Sequence, residues 1–200
     1  MKPSSTKDIA KDIFSKYNIR HNADSINQLA ELLVPLKLHY REFLQTSGKT
    51  VDNLYYIEAG LVRTYHLYDN TEYTDGFYKE GDMVLSPDCL YSGNLSTQNI
   101  ITLEPTIVFT FSYTSIQRYA AMDEVFCHLL CAIMEERIIS QQAYINMLIL
   151  PTLQRFKLMS KYHSDIIWRS PSKSVASYLR MAPETLSRIR TSYNDENSDS

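Results

Sequence analysis

The chain has 200 residues, of which 44% are hydrophobic, so it can bury a core in one large domain or two small ones. The formal net charge of the whole chain is −3 at pH 7, which by itself disfavours a nucleic-acid-binding protein. Residues 152–193, however, contain eight basic and two acidic side chains, a local charge of +6. A basic segment after an acidic one is typical of a phosphate-binding module, although a solvated helical domain has the same pattern.

The three cysteines, Cys89, Cys127 and Cys131, form neither a CxxC pair nor an even framework, so we expect a reducing, cytoplasmic location. Cys127 and Cys131 lie one helical turn apart, and core packing is favoured over metal ligation. No apolar run reaches transmembrane length, and residues 1–6 do not form a signal peptide. Because cupin metal ligands, a nucleophile elbow and a phosphate-binding glycine loop are all missing, we expect no enzymatic activity, metal or cofactor.

Helical periodicity predicts two helices at the start of the chain, Thr6–Tyr17 and Ala23–Leu33, and Pro35 ends the second. Residues 36–111 then combine tyrosines and β-branched residues with frequent turn residues, among them Asp69-Asn70. Many short strands at this spacing predict a sandwich or a rolled barrel. The predicted strands are Leu36–Tyr40, Glu42–Gln45, Leu54–Glu58, Leu61–Tyr68, Glu72–Tyr78, Asn99–Leu103 and Ile107–Phe111.

A short helix is predicted over Ser115–Ala121, and a long one follows from Asp123 to about Leu150, where Pro151 ends it. The long helix spans roughly 40 Å at 1.5 Å per residue, more than a small barrel covers. Its apolar and partly polar side chains recur at alternating intervals of four and three residues, which is typical of the contact line of a dimeric coiled coil. The alternative is a long helix that packs on the barrel of its own chain. The residues assigned to this dimer seam are Phe126, Leu130, Ile133, Arg137 and Tyr144.

Thr152–His163 is predicted as a further helix, with residues 166–171 as a linker. Residues 174–190 then read as two short helices around a tight turn. Val175 and Leu179 give one apolar stripe, and Leu186 and Ile189 give a second. This spacing is that of a helix-turn-helix DNA reader, and a C-terminal helical hairpin that merely packs is the alternative.

At these residues the sequence resembles the Crp/Fnr superfamily of bacterial transcription regulators, most clearly in the run from Glu184 to Arg190. Residues 55–63 and the Glu80-Gly81-Asp82 corner resemble the jelly roll of cyclic-nucleotide-binding domains. The resemblance implies an α+β fold with an N-terminal jelly roll (residues 1–121), a long dimerisation helix (122–150), a helix-turn-helix domain (151–193) and an acidic flexible tail (194–200). Arg180 departs from the family pattern, which places glycine in the turn, and we expect no full wing after Arg190.

The resemblance implies a homodimer that binds a near-palindromic site in double-stranded DNA. Glu184 and Arg188 lie one turn apart on the outward face of the second helix, so we assign base reading to them. Contacts to the DNA backbone are assigned to Lys173, Thr185, Ser187 and Arg190.

The window of residues 83–99, which in cyclic-nucleotide-binding relatives supplies a glutamate and an arginine, contains no arginine, lysine or glutamate. A buried phosphate without a cation is costly, so cAMP and cGMP are not expected as ligands. The pocket is predicted to take another small molecule or to be a vestigial core. The alternative function is a ligand-sensing or partner-binding jelly-roll protein whose helical tail no longer reads DNA.

Overall fold

The computed structural model describes residues 2–87 and 92–198, with side chains described as far as Tyr193. The chain divides into two compact units, one of residues 1–64 with 77–138 and one of residues 65–76 with 139–200. The first unit thus combines the N-terminal helices, most of the strands and the start of the long helix. The second unit combines the C-terminal helices with residues 65–76, which the sequence analysis had placed in the jelly-roll domain.

Two capped helices begin the first unit, α1 (Thr6–Lys16) and α2 (Ala23–Leu32). The Ser5 hydroxyl accepts a hydrogen bond from the Asp8 amide and so caps α1. Asn22 and Ser25 form a reciprocal capping box at the start of α2. Both helices agree with the predicted ones to within one residue at either end.

In the described part of the chain, eight strands form two four-stranded sheets, in the orders β1-β8-β3-β6 and β2-β7-β4-β5. This pairing of distant strands confirms the jelly roll. Gly60 has φ +106°, and a Cβ there would lie 2.8 Å from the Thr106 Cα, so the β3–β4 corner requires glycine. Only β6, which has two residues, was not predicted. The strands are β1 (Val34–Leu38), β2 (Phe43–Gln45), β3 (Asn53–Ala59), β4 (Val62–Tyr68), β5 (Thr71–Tyr78), β6 (Met83–Val84), β7 (Asn99–Thr102) and β8 (Thr106–Ser112).

Helices α3 (Tyr113–Ala120) and α4 (Glu124–Leu148) follow the strands. The Phe126 ring on α4 packs edge-on against Phe14 at 6.1 Å and lies 5.0 Å from the Tyr119 ring. Because Phe126 and Ile133 are buried in the core of the first unit, they are not available to a second chain. Leu130 packs partly against the same core.

Polar contacts hold the same face of α4 against its own chain. The Tyr17 hydroxyl donates to Glu136 Oε2 at 2.5 Å, and Lys16 Nζ lies 2.8 Å from Glu136 Oε1. Arg137 Nη1 donates to the Tyr78 hydroxyl at 2.7 Å. The predicted seam therefore follows the side of α4 that packs on its own chain. Sequence periodicity located a real stripe and could not tell which partner covers it.

A second stripe, on the far side of α4, is exposed. It contains Cys127 and Cys131, which are both exposed, so their prediction as core residues is wrong. It continues with Ile138, Ile145 and Ile149, of which 67%, 49% and 80% is exposed. At 100° per residue, the four positions within α4 lie within about 40° of one another around the helix axis, and Ile149 follows directly after the last helical residue. The stripe thus consists of these five residues. We call them the α4 stripe.

Four helices complete the second unit: α5 (Thr152–Tyr162), α6 (Ser164–Arg169), α7 (Ser172–Tyr178) and α8 (Pro183–Ser198). The predicted linker contains α6, because Ile166 and Ile167 are buried and favour a helical turn. Helix α8 continues through residues 194–198, which were predicted as a flexible tail. No glycine or proline interrupts the sequence there, and Tyr193 packs edge-on against Phe156 at 5.5 Å. Among the described residues, no helix has both the length and the apolar character needed to cross a membrane.

Candidate nucleic-acid interface

Helices α7 and α8 pack through the predicted apolar residues. Val175, Leu179 and Leu186 are fully buried, and Ala176 is 1% exposed, which allows the two helices to approach closely. Ile189 is half-buried. The two apolar stripes of the helix-turn-helix are thereby confirmed, and the charged face of α8 is left outside.

The turn between α7 and α8 is a Schellman motif with arginine in the position that usually holds glycine. Arg180 has φ +52°. The Met181 amide donates to the Ala176 carbonyl at 3.0 Å, and the Arg180 amide donates to the Ser177 carbonyl at 3.2 Å. A left-handed residue with a Cβ costs about 1 kcal/mol, so other contacts must hold this turn.

Two side chains from outside the motif bind the carbonyl groups of the turn. Arg155 donates from Nη1 to the Leu179 carbonyl at 2.8 Å and to the Arg180 carbonyl at 3.3 Å. The Tyr144 hydroxyl donates to the Tyr178 carbonyl at 3.0 Å, and the two tyrosine rings stack at 4.7 Å. These contacts satisfy the last carbonyls of α7, which have no partner within the helix. They give Tyr144 a role within its own chain.

The tip of the β4–β5 hairpin, residues 65–76, packs on the same turn. Asp69 and Asn70 both have positive φ, as a two-residue hairpin turn requires. The Ser177 hydroxyl accepts from the Thr74 amide at 2.9 Å and donates to the Glu72 carbonyl at 3.0 Å. Ser177 thus joins the last turn of α7 to the backbone of strand β5.

The Arg180 side chain lies on this hairpin tip. Its guanidinium carbon is 5.4 Å from the centroid of the Tyr73 ring, and Nη2 is 4.0 Å from Asp75 Oδ1. Asp75 also lies 2.9 Å from His66 Nδ1, whose ring stacks on Tyr73. A glycine would relieve the backbone strain at residue 180 but would lose these contacts. Arginine in place of glycine at residue 180 is therefore accompanied by a hairpin tip that its side chain contacts.

The outward face of α8 carries the predicted base-reading residues. Glu184, Ser187 and Arg188 are exposed, and Thr185 is half-buried. The side chains of Glu184 and Arg188 make no hydrogen bond or ion pair with any other residue in the described part of the chain. Lys173 is exposed in the first turn of α7. The structure therefore leaves both assigned base readers and two assigned backbone contacts, Lys173 and Ser187, exposed.

Arg190 has a different role from the phosphate contact assigned to it. Its Nη1 donates to the Ser172 hydroxyl at 2.8 Å, and its Nη2 donates to the Ile167 carbonyl at 3.2 Å. Burial lowers the pKa of its guanidinium from the ordinary value. Arg190 thus ties α8 to the α6–α7 junction. The sequence had placed Arg190 with Lys173, Thr185 and Ser187 as a contact to the DNA backbone, because it is basic and was expected on the outward face of the helix.

The described part of the predicted effector window is lined by neutral polar groups. Gln45 is buried, and its Nε2 donates to the Ser86 hydroxyl at 2.6 Å and the Ser96 hydroxyl at 2.5 Å. Asn99 is also buried, and its Oδ1 accepts from the Ser47 amide at 3.0 Å. Residues 88–91 of the window lie outside the described residues.

Several solved structures share this fold. FixK2 from Bradyrhizobium japonicum matches with a TM-score of 0.70 and 14% sequence identity, over 82% of this chain and 86% of its own. The c-di-GMP-responsive global regulator CLP of Xanthomonas campestris matches at 0.67 and 14%, over 88% and 93%. A CooA mutant from Carboxydothermus hydrogenoformans matches at 0.67 and 14%, over 92% and 84%. No protein-family model and no curated protein sequence matches the chain. The comparisons confirm the predicted fold, a jelly-roll domain followed by a long helix and a helical C-terminal part.

Proposed function

We propose that this chain is a homodimeric, sequence-specific DNA-binding transcription regulator of the Crp/Fnr type, without enzymatic activity. One observation carries the proposal. Glu184 and Arg188 are exposed on the outer face of α8, while Leu186 on its inner face is fully buried. An outward charged face on the second helix of a helix-turn-helix fits the major groove.

The two base readers have different chemical roles. The Glu184 carboxylate is expected to accept from the amino group of cytosine, and Arg188 to donate two hydrogen bonds to guanine. Lys173, Thr185 and Ser187 are expected to contact phosphates or sugars, which position the helix without specifying sequence. Arg190 is left out of this set because its guanidinium is occupied by Ser172 and Ile167.

The dimer is proposed to form through the α4 stripe, with a second copy of the chain as its partner. Three isoleucines on this stripe are between 49% and 80% exposed, and aligned apolar side chains on a long helix favour a helix–helix contact. A dimer presents two α8 helices to half-sites about one helical turn apart on near-palindromic DNA.

The proposed effector, if the pocket takes one, is not a cyclic nucleotide. Residues 83–99 contain no arginine or lysine, and the hydrogen bonds of Gln45 with Ser86 and Ser96 place neutral groups beside them, which is unfavourable for a phosphate anion. A cAMP or cGMP titration by calorimetry is expected to give no binding heat. No cyclic-nucleotide dependence of DNA binding is expected either.

DNA binding is tested by fluorescence anisotropy of the full chain with a labelled random-sequence duplex at two salt concentrations. Two cationic phosphate contacts per dimer, one Lys173 from each chain, predict an affinity loss of about 10-fold between about 50 and 200 mM salt. Lys173→Ala is expected to weaken binding and to reduce the salt dependence. Lys7→Ala, an equal change of charge on an exposed residue of α1, serves as the matched control and is expected to bind normally.

Absence of binding at the lower salt concentration would contradict the proposal. It would favour a partner-binding jelly-roll protein whose helical tail no longer reads DNA. Equal effects of the Lys173 and Lys7 substitutions would contradict the assigned interface while leaving DNA binding itself intact.

A further inference from the structure

We propose that Cys127 and Cys131 form disulfides between the two copies of the dimer, which makes the α4 contact a peroxide-responsive modification site. The inference rests on the proposed homodimer and goes beyond it. Both thiols are exposed, although cysteine is among the residues most often buried. They begin the same stripe that continues with the exposed Ile138, Ile145 and Ile149.

The position of the thiols around the helix places them in the contact. At 100° per residue, Cys131 is about 40° from Cys127 around the axis, and Ile138 lies between them in angle at about 20°. The buried Phe126 and Ile133 lie more than about 100° from Cys127. A second copy that covers the isoleucines therefore also covers the cysteines.

Helix geometry brings the thiols of two copies within bonding range. Packed helices have axes about 8–10 Å apart, and Cα atoms lie about 2.3 Å from each axis. Directly facing Cα atoms are therefore about 3–5 Å apart, and those slightly off the contact line are somewhat farther apart. Disulfides span Cα separations of about 4.4–6.8 Å. In a parallel pair related by a twofold axis, Cys127 faces Cys127 of the second copy, and Cys131 faces its own equivalent.

A disulfide between Cys127 and Cys131 of one chain is disfavoured. Residues four apart on a helix have Cβ atoms about 5–6 Å apart, whereas a disulfide needs about 3.5–4.5 Å. Closing that bond would distort the helix within α4. The arrangement thus favours bonds between copies over a bond within one copy.

The chemistry balances with hydrogen peroxide as the oxidant. One thiolate attacks a peroxide oxygen, the O–O bond breaks, and a sulfenic acid and hydroxide form. The facing thiolate of the second copy then attacks the sulfenic sulfur, the S–O bond breaks, an S–S bond forms, and a second hydroxide leaves. The two hydroxides take up the two protons that the thiols released on ionisation. Two thiols and one peroxide give one disulfide and two waters. In a reducing compartment such a bond is transient and acts as a sensor. While it persists, it prevents the two copies from separating.

The experiment uses the full chain with Cys89→Ser, so that the two α4 thiols are the only ones present. Hydrogen peroxide is added, excess thiol is blocked, and the product is separated on a non-reducing denaturing gel. We expect a band of twice the chain mass that dithiothreitol reverses. Cys127→Ser and Cys131→Ser are each expected to retain crosslinking through the other pair of facing cysteines. The double variant is expected to lose it.

Light scattering on the reduced protein separates this inference from the proposed dimer. A dimer in solution that gives no crosslink overturns the disulfide proposal alone, and so does a disulfide confined to one chain. A reduced protein that is monomeric and does not crosslink overturns both proposals. Full crosslinking of the double variant with Cys89 intact would assign the bond to Cys89 and overturn the proposal.

Discussion

Arg180 places its guanidinium carbon 5.4 Å from the centroid of the Tyr73 ring while its own backbone holds a φ of +52°. The contact and the strain act in opposite directions on stability. Arg180→Ala removes the contact and keeps the strain, so we expect it to lower the free energy of unfolding by about 1 kcal/mol. Arg180→Gly removes both, and it is expected to be more stable than the alanine variant by about 1 kcal/mol. Urea denaturation of the three proteins measures both differences. Equal stability of the two variants would show that the turn carries no strain.

Ser177 is predicted to hold the hairpin tip on α7. Its hydroxyl is the acceptor for the Thr74 amide, so Ser177→Ala is expected to accelerate hydrogen exchange at Thr74 and to lower stability by about 1 kcal/mol. Ser187→Ala changes an exposed serine on α8 and is the matched control. Unchanged Thr74 exchange in the Ser177 variant would mean that the hairpin tip is held by other contacts.

Ile138→Glu is predicted to convert the dimer into a monomer, because it places a charge at the centre of the α4 stripe. Ile139→Glu is a matched control, since Ile139 is similarly exposed but lies about 100° farther around the helix. Light scattering at several protein concentrations measures the mass of each variant. Two dimeric variants, or two monomeric ones, would contradict the assignment of the contact to this face.

Asp52 is predicted to make stability depend on acid pH. Burial alone raises the pKa of its carboxyl, but hydrogen bonds from Ser112 and Thr114 outweigh burial and lower the pKa below its ordinary value of 3.8. A depressed pKa in the folded state gives stability that is present above the unfolded value of about 3.9 and is lost as pH falls through the folded value. Between pH 6 and pH 3, wild type should therefore lose more stability than Asp52→Asn. Equal losses in urea midpoint would refute this role.

The fold and the two helices of the helix-turn-helix were predictable because they depend on local patterns. The apolar spacing of Val175, Leu179 and Leu186 fixes the two helices, and turn residues such as Asp69-Asn70 fix the hairpin that the structure contains. The run of residues 184–190 further identified the kind of fold. These features follow from residues that are near one another in the chain.

The roles of long-range partners were not predictable. Arg155 and Ser177 act on groups 24 and about 100 residues away, and no sequence spacing connects such pairs. The two faces of α4 were confused for a related reason. Phe126 and its neighbour Cys127 each begin an apolar repeat, and the two repeats have nearly the same period. Only the folded structure shows that the repeat beginning at Phe126 packs against the core of its own chain.

The central claim is that α8 reads base edges through Glu184 and Arg188. Selection of binding sites from a random duplex pool tests it most directly, with wild type, Arg188→Ala and Arg190→Ala compared in parallel. Wild type is expected to enrich a near-palindrome with half-sites one helical turn apart. Arg188→Ala should lose about 1–3 kcal/mol of affinity and its preference at one base pair in each half-site. Arg190→Ala should instead lower thermal stability and keep the selected sequence. Failure of wild type to enrich any sequence, or enrichment of the same sequence by Arg188→Ala, would contradict the claim.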